Sequence, residues 1–248
     1  MKNILSLIIV FSFLQSTGQR QIDKNVGIPM FAASYSINIP GGDMAKRFGW
    51  NSGIGGLFTY KTRSNWLITA EADYLFGSLI KEDSILDHLR TSNGEIINKY
   101  GEYANIIISE RGYYIGAGLG RLFNIVKTNP NSGIILRFSA GFMEHKIKIQ
   151  NEANNAPQVL GNYLKGYDRL TNGLAINEFI GYMHIGKSQY FNIYVGFEFY
   201  QAWTRCRRDF NFDTMEHDTR NRNDLLYGFR FGWIIPIYER MPDKYYTF

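Results

Sequence analysis

Cysteine is nearly missing from this chain, which has 248 residues and a single thiol at Cys206. One cysteine excludes an internal disulfide, and a structural zinc site is excluded because it needs several clustered ligands. The 27 basic and 22 acidic side chains leave a net charge of only +5, which is too mild and too scattered for a nucleic-acid-binding protein. After Leu14 no apolar run approaches the ~20 residues of a transmembrane helix.

The first residues have the pattern of a secretory signal peptide. Lys2 supplies a positive start, an apolar run extends from Ile4 to Leu14, and small residues stand at Ser16 and Gly18. We predict cleavage after residue 18, leaving 19–248 as one exported domain. The alternative is a buried N-terminal helix.

Alternation of apolar and polar residues is the strongest signal in the mature chain. One face of a segment carries apolar side chains at Phe191, Ile193, Val195, Phe197 and Phe199, and the other carries Asn192, Tyr194, Gly196, Glu198 and Tyr200. A period of two, with one face apolar and the other polar, is typical of a membrane-spanning strand. Eight such segments are found, near 31–39, 53–61, 66–76, 113–120, 134–142, 174–185, 191–200 and 225–237. The sixth is the weakest, because Asn177 and Glu178 are adjacent and one must face the apolar side unless a bulge intervenes.

The connections between these segments alternate in length. Three are short, near 62–65, 127–132 and 186–189, and four are long, near 40–52, 78–111, 146–173 and 203–223. Short periplasmic turns opposite long extracellular loops are typical of transmembrane barrels. The sequence therefore predicts an all-β, eight-stranded antiparallel barrel in the outer membrane of a diderm bacterium, with a short periplasmic tail at 239–248. A soluble β-sandwich or lipocalin-like barrel is the alternative, but aromatic residues near the strand ends favour membrane girdles: Tyr60, Trp66, Trp233 and Tyr238.

The predicted inner face carries charges of both signs. An eight-stranded barrel has room only for its own side chains, and charges in such an interior must pair. We expect a salt-bridge network that plugs the lumen, centred on Glu71, Arg137 and Arg230, which excludes large solutes. A narrow ion channel is the alternative. The full set is Lys61, Glu71, Asp73, Arg137, Glu198 and Arg230.

Histidines are one hint of catalysis. His145 follows Glu144, and His217 lies between Glu216 and Asp218, but no spaced catalytic motif accompanies either. We interpret them as solvated loop residues and expect no catalytic residue, metal or cofactor. The alternative, an outer-membrane hydrolase or acyltransferase acting on lipid or peptide, would place His145 or His217 near a carboxylate and a hydroxyl at the rim.

The predicted loops carry cations that suit recognition. Arginines alternate with aspartates and aromatic residues, which fits contact with lipopolysaccharide phosphates or a protein partner, or else pairing between loops. The candidate contacts are Lys46, Arg47, Arg205, Arg207 and Arg208. The second loop is more apolar than a solvated loop requires, so we predict that it packs on the barrel through Ile85, Leu86, Leu89, Ile96 and Ile97.

In these features the chain resembles the small outer-membrane barrels grouped with the OmpA transmembrane domain and with the PorT-like accessory barrels of type IX secretion. The resemblance covers the whole mature chain and rests on architecture: the signal peptide, eight alternating strands, short turns and long loops. It implies a non-catalytic barrel that serves a secretion or barrel-assembly complex. Only residues 239–248 follow the last strand, so we expect no attachment to peptidoglycan.

Overall fold

The computed structural model describes residues 25, 27–125, 129–186 and 191–237. The predicted signal peptide at 1–18, Tyr238 and the tail at 239–248 lie outside these residues. Eight strands are present: β1 (Ile28–Gly42), β2 (Asn51–Lys61), β3 (Trp66–Gly77), β4 (Ile106–Phe123), β5 (Gly133–Asn151), β6 (Thr171–Ile185), β7 (Asn192–Cys206) and β8 (Asn221–Pro236). No helix in the described ranges is long and apolar enough to cross a membrane.

The eight strands form a closed antiparallel barrel in sequence order, with β8 pairing back onto β1. Following the paired residues once around the barrel from Pro29 leads to Ile39, ten residues farther along the same strand. This stagger tilts the strands against the barrel axis and leaves no unpaired sheet edge. The predicted fold class is confirmed.

Apolar side chains form the outer surface of the barrel, as the alternation predicted. Phe31, Leu119 and Phe197 are 52%, 58% and 58% exposed, although each belongs to a regular strand. At the periplasmic end Tyr60, Trp66 and Trp233 also face outward. An apolar outer belt with aromatic residues at its edge is the surface that a lipid bilayer requires.

Strand β6 contains no bulge at its ambiguous dipeptide. The pairing runs without interruption, with Glu178 opposite Phe138 of β5 and opposite Phe199 of β7. Asn177 and Phe179 therefore point inward and are buried, whereas Glu178 is exposed on the lipid-facing side.

Several strands extend farther at the extracellular end than the sequence predicted. β4 begins at Ile106 and β5 continues to Asn151, because Ile147 and Ile149 continue the buried inner face beyond the membrane belt. The loops contain a short helix α1 (Met44–Arg47) and three 3-10 helices, η1 (Asp83–Leu89), η2 (Pro157–Val159) and η3 (Tyr163–Gly166). The packing of the second loop is confirmed for Ile85, Leu86 and Ile96, which are buried, and Leu89 packs against the same cluster, whereas Ile97 is 39% exposed.

Two apolar clusters fill the interior, one in each half. The periplasmic cluster consists entirely of strand side chains: Ile28, Met30, Ala32, Leu57, Leu67, Leu122, Ile135, Phe179, Met183, Ile185, Tyr194 and Ile234. The extracellular cluster joins strand residues such as Leu75 and Met143 to loop residues such as Phe48, Leu86 and Val159. Charged side chains occupy the space between the two clusters.

Candidate functional site

Arg230 lies at the centre of the barrel and is 1% exposed. Its Nη1 lies 2.7 Å from Asp73 Oδ1, and its Nε lies 2.6 Å from Glu198 Oε2. The same guanidinium donates hydrogen bonds to Tyr200 Oη (2.7 Å) and Ser34 Oγ (3.0 Å). A buried cation is tolerated when it is paired in this way with carboxylates and its remaining protons are bound.

A second buried ion pair lies beside the first and joins β3 to β5, which are separated by β4. Arg137 Nη2 lies 2.8 Å from Glu71 Oε2, and Ser139 donates a hydrogen bond to the other oxygen of the Glu71 carboxylate. The Arg137 guanidinium also lies over the Phe179 ring, 5.1 Å from its centroid. The cluster therefore has three carboxylates against two guanidinium groups, and the Tyr200 hydroxyl donates to the Asp73 carboxylate at 2.9 Å.

Glycines on the inner face make room for these long side chains. A Cβ atom at Gly55 would overlap the Asp73 carboxylate, and one at Gly228 would lie 2.7 Å from Glu198 Cγ. By contrast Gly56, the next residue, faces outward and has no atom within 4 Å of such a Cβ. The inward glycines are therefore a packing requirement of the ionic cluster.

Lys61 lies apart from the other five predicted members, at the periplasmic end of β2. Its Nζ donates to Asn25 Oδ1 at 2.6 Å and to Asn131 Oδ1 at 3.0 Å. The sequence grouped it with the lumen charges because it shares their face, but strand tilt and its position at the strand end put it at a different height.

The structure contradicts one of the predicted surface contacts. Arg47 is 3% exposed and its Nη1 donates to Thr171 Oγ1 at 2.8 Å. Its Nε lies 3.4 Å from Glu82 Oε1, and burial lowers the pKa of its guanidinium below the ordinary value. Arg47 therefore fastens the first loop to β6 and is not available to a partner.

The other four predicted contacts divide into two kinds. Arg208 forms a two-pronged pair with Asp168, with Nε 2.7 Å from Oδ1, and this hydrogen bonding raises the pKa of Arg208. It therefore ties the fourth loop to the third. Lys46, Arg205 and Arg207 are exposed: Lys46 pairs with Asp43 at 2.7 Å, and Arg207 Nε donates to Asn172 Oδ1 at 2.5 Å.

The arrangement around His145 differs from that of a hydrolase. Because β5 extends past it, His145 is fully buried rather than solvated as predicted, and its Nε2 lies 2.9 Å from Asp224 Oδ2. Thr204 Oγ1 donates to the same carboxylate oxygen. A nucleophilic hydroxyl must bond to the imidazole that activates it, but here the carboxylate separates the two groups. His217 is exposed and its Nδ1 contacts the carbonyl oxygen of Asp209.

Sequence reasoning missed several neutral partners of the buried charges, namely Tyr200, Ser34, Ser139 and Thr204. Strand parity would have found Tyr200, because it shares the inner face of β7 with Glu198. The pairing of His145 with Asp224 was not accessible from the sequence, since the two residues are 79 positions apart and belong to non-adjacent strands.

The closed ladder, the apolar outer belt and the filled interior define an eight-stranded outer-membrane β-barrel. No protein-family model matches the chain, and no curated protein sequence matches it.

Its fold is similar to solved structures of small outer-membrane barrels. The attachment invasion locus protein Ail of Yersinia pestis, solved with the heparin analogue sucrose octasulfate, is 10% identical with a TM-score of 0.47, over 84% of this chain and 99% of that chain. Neisserial surface protein A is 8% identical with a TM-score of 0.49, over 84% and 96%. OprG of Pseudomonas aeruginosa is 10% identical with a TM-score of 0.39, over 85% and 97%.

Proposed function

We propose that this protein is a non-enzymatic accessory barrel that serves an outer-membrane secretion or barrel-assembly complex. The observation that carries the proposal is the closed interior. An apolar periplasmic layer, a central ionic layer and an extracellular layer shared with the loops follow one another along the axis. A barrel filled in this way acts through its loops and its outer surface.

The periplasmic layer is packed too densely for a solute path. The cavity bounded by Met30, Leu67 and Ile234 measures about 20 Å³, which is the space of about one water molecule. Above it, Arg230 and Arg137 cross the lumen to reach carboxylates on other strands. This supports the plugged barrel over the narrow channel.

The extracellular loops provide a prearranged surface for a partner. Loop residues are held to one another and to the barrel by ion pairs, such as Arg208 with Asp168 and Arg169 with Asp213. A rigid surface loses little conformational entropy on binding, which favours affinity. Exposed Arg205 and Arg207 stand at its edge, where a protein partner or the phosphates of lipopolysaccharide would meet them.

The alternative of a hydrolase or acyltransferase lacks support from the geometry. His145 is buried beneath the loops, and its neighbouring hydroxyl, Thr204, is bonded to Asp224 rather than to the imidazole. His217 has no carboxylate or hydroxyl among its described contacts. We therefore propose no catalytic residue, metal or cofactor, and no nucleic acid as a partner.

Charge reversal of the exposed cations at the extracellular end tests the proposed role. In a tagged pull-down from native outer membranes, Arg205→Glu with Arg207→Glu should reduce recovery of secretion or assembly subunits by about tenfold, the effect of ~1.4 kcal/mol. Lys99→Glu with Lys165→Glu makes the same change in net charge at exposed positions of the second and third loops and should leave recovery unchanged. Folding is checked by heat-modifiable gel migration. If the folded double variant recovers its subunits as fully as wild type, these arginines are not the contacts.

Conductance separates the plugged barrel from a channel. Purified protein in planar bilayers should give no steady current, because the central guanidinium groups block the lumen. Steady conductance would contradict the closed interior on which the proposal rests. Recovery of the protein as a solitary monomer would contradict the accessory role independently of conductance.

A further inference from the structure

Glu178 is a carboxylate on the outer, lipid-facing side of the barrel wall, where apolar side chains are expected. It occupies the lipid-facing side of β6, between Phe138 of β5 and Phe199 of β7. Along its own strand the neighbouring lipid-facing residues are Ile176 and Ile180. Its four nearest outward neighbours are thus all apolar.

The depth of Glu178 puts it within the hydrocarbon of the bilayer. Leu174 lies four positions from Glu178 toward the extracellular edge, and Tyr182 lies four positions from it toward the periplasmic edge. At ~3.3 Å per residue and a tilt of ~40°, each distance is about 10 Å along the membrane normal. Ionisable groups at such depth are costly, and they mark functional sites more often than chance.

Nothing else in the described part of the chain neutralises this carboxylate. Glu178 makes no hydrogen bond or ion pair with another described residue. The lipid-facing cation Arg121 lies near the periplasmic edge, over the Trp66 ring at 5.2 Å. Lys146 and Arg205 lie beyond the apolar belt at the extracellular edge. A cation that pairs with this carboxylate would therefore come from outside the described chain.

A groove in the outer surface begins at Ile176, the next lipid-facing residue of β6 on the extracellular side of Glu178. Ala140, which pairs with Ile176, is small, and larger side chains stand around it at Phe142, Leu174 and Trp203. The groove measures about 550 Å³ and its lining is almost entirely apolar. Such a shape would admit a bulky side chain of a neighbouring protein, next to a charge that could bind a cation.

We infer that a second membrane protein docks on the lipid-facing surface of β5, β6 and β7 and presents a lysine or arginine to Glu178. The inference deepens the proposed accessory role and rests on it. A lipid acyl chain would fill the groove but offers no proton donor to the carboxylate. A second copy of this chain offers no lipid-facing cation at that depth among its described residues.

Site-directed photocrosslinking in intact cells locates the partner. A photoreactive amino acid at Ile180, next to Glu178, should crosslink to one outer-membrane protein, whereas the same amino acid at Ile54, on the opposite wall, should not. In protein that carries the photoreactive amino acid in place of Ile180, Glu178→Leu should reduce the crosslink by about tenfold. Glu144→Leu removes a carboxylate from the same wall at the rim and should leave the crosslink intact.

Stability of the isolated barrel distinguishes lost docking from misfolding. Glu178→Leu exchanges a charge for an apolar side chain on a lipid-facing site, so the purified variant should resist urea in liposomes at least as well as wild type. If Glu178→Leu lost the crosslink because it misfolded, the purified variant would instead be less resistant to urea than wild type. Glu178→Lys should also abolish the crosslink, and replacing the partner's basic residue with glutamate should restore it.

Each remaining outcome overturns the inference in a recognisable way. A crosslink only to a second copy of this chain would replace the foreign partner by a homo-oligomer. Lipid adducts alone, together with full recovery of complex subunits through the loops, would sink the docking surface and leave the proposed function standing. Lipid adducts alone, with no subunits recovered by any variant, would remove both.

Discussion

The two halves of the barrel interior are packed by different means. In the periplasmic half every member of the apolar cluster belongs to a strand, including Ile28, Leu67 and Met183. In the extracellular half, strand residues share the cluster with side chains from the loops, among them Phe48 and Tyr167. The first half is complete once the ladder closes, and the second is complete only when the loops have docked.

This difference shows that the extracellular loops belong to the core of the protein. Buried pairs of strand residues lie at this end of the barrel, such as His145 with Asp224 and Glu110 with Asn51, and Phe48 of the first loop packs against the His145 imidazole. Loops anchored in this way should resist proteolysis, and substitutions in them should affect the stability of the whole barrel. The central ionic layer separates the two halves and holds the opposite walls together.

The largest effect is expected from breaking that central layer. Arg230→Ala leaves Asp73 and Glu198 buried without their cation, which should lower the free energy of unfolding by ~3–5 kcal/mol or prevent folding. Arg121→Ala removes the same side chain from the lipid-facing wall, where only ring contacts are lost, and should cost less than ~1 kcal/mol. Urea unfolding in detergent micelles measures both. Similar losses would contradict a central layer that is essential for stability.

A loop substitution tests whether the extracellular half depends on docked loops. Phe48 is fully buried, with its ring edge-on to the imidazole of His145 at 5.5 Å. Phe48→Ala should cost ~3 kcal/mol by removing core volume, and it should expose the extracellular loops to protease. Tyr100→Ala changes an exposed loop aromatic and should stay within ~0.5 kcal/mol. Equal effects would mean that the loops are not part of the core.

Glu110, which pairs with Ile147 beyond the membrane belt, gives the extracellular half a pH dependence. Burial raises the pKa of Glu110 from 4.5 to about 7, although Asn51 Nδ2 donates to both of its oxygens. The folded chain then holds a proton that the unfolded chain has lost, so the free energy of unfolding falls as pH rises from 4.5 to about 7 and stays lower above it. Glu110→Gln should remove this fall.

The size of the stability loss at alkaline pH follows from the difference between the pKa of Glu110 in the folded chain and in the unfolded chain. We expect Glu110→Gln to be more stable than wild type by up to ~3 kcal/mol at pH 8 and similar to it at pH 4. Urea titrations at both pH values measure the difference. An advantage for the glutamine variant that is the same at both pH values would show that Glu110 is not the titrating group.

The smallest effects are expected from two adjacent glycines that face opposite sides of the wall. Gly55→Ala would push a methyl group against Asp73 and Arg230 and should cost ~1–3 kcal/mol. Gly56→Ala enters open space on the lipid side and should be neutral or slightly stabilising. Thermal unfolding of the two variants, monitored by gel migration, gives the comparison. The reverse order would mean that the faces of β2 are exchanged.

Alternation predicted which side chains face inward and which face the lipid, because a strand fixes this with a period of two. It therefore found Glu71, Asp73, Arg137, Glu198 and Arg230, which the structure brings together. It failed where tertiary distance matters. Arg47 looked like an exposed loop cation, but its partner Thr171 is 124 residues away.

The dipeptide at Asn177 and Glu178 shows the opposite kind of failure. The pattern was correct that one polar side chain would face the apolar side, but the sequence could not exclude a bulge, because bulges leave the same local pattern. The uninterrupted pairing of β6 with both neighbours decides between the two. An inconsistency in the alternation proved to be a property of the surface rather than an error in the strand assignment.

The unequal lengths of the strands give the molecule a sloping upper rim. β4 and β5 are joined by 18 paired residues, whereas β2 and β3 are joined by 10. With both hairpins turning at the same periplasmic level, the taller one rises about 20 Å higher. Among the strands, β4 and β5 therefore carry the barrel wall farthest from the membrane, toward any molecule that approaches the cell.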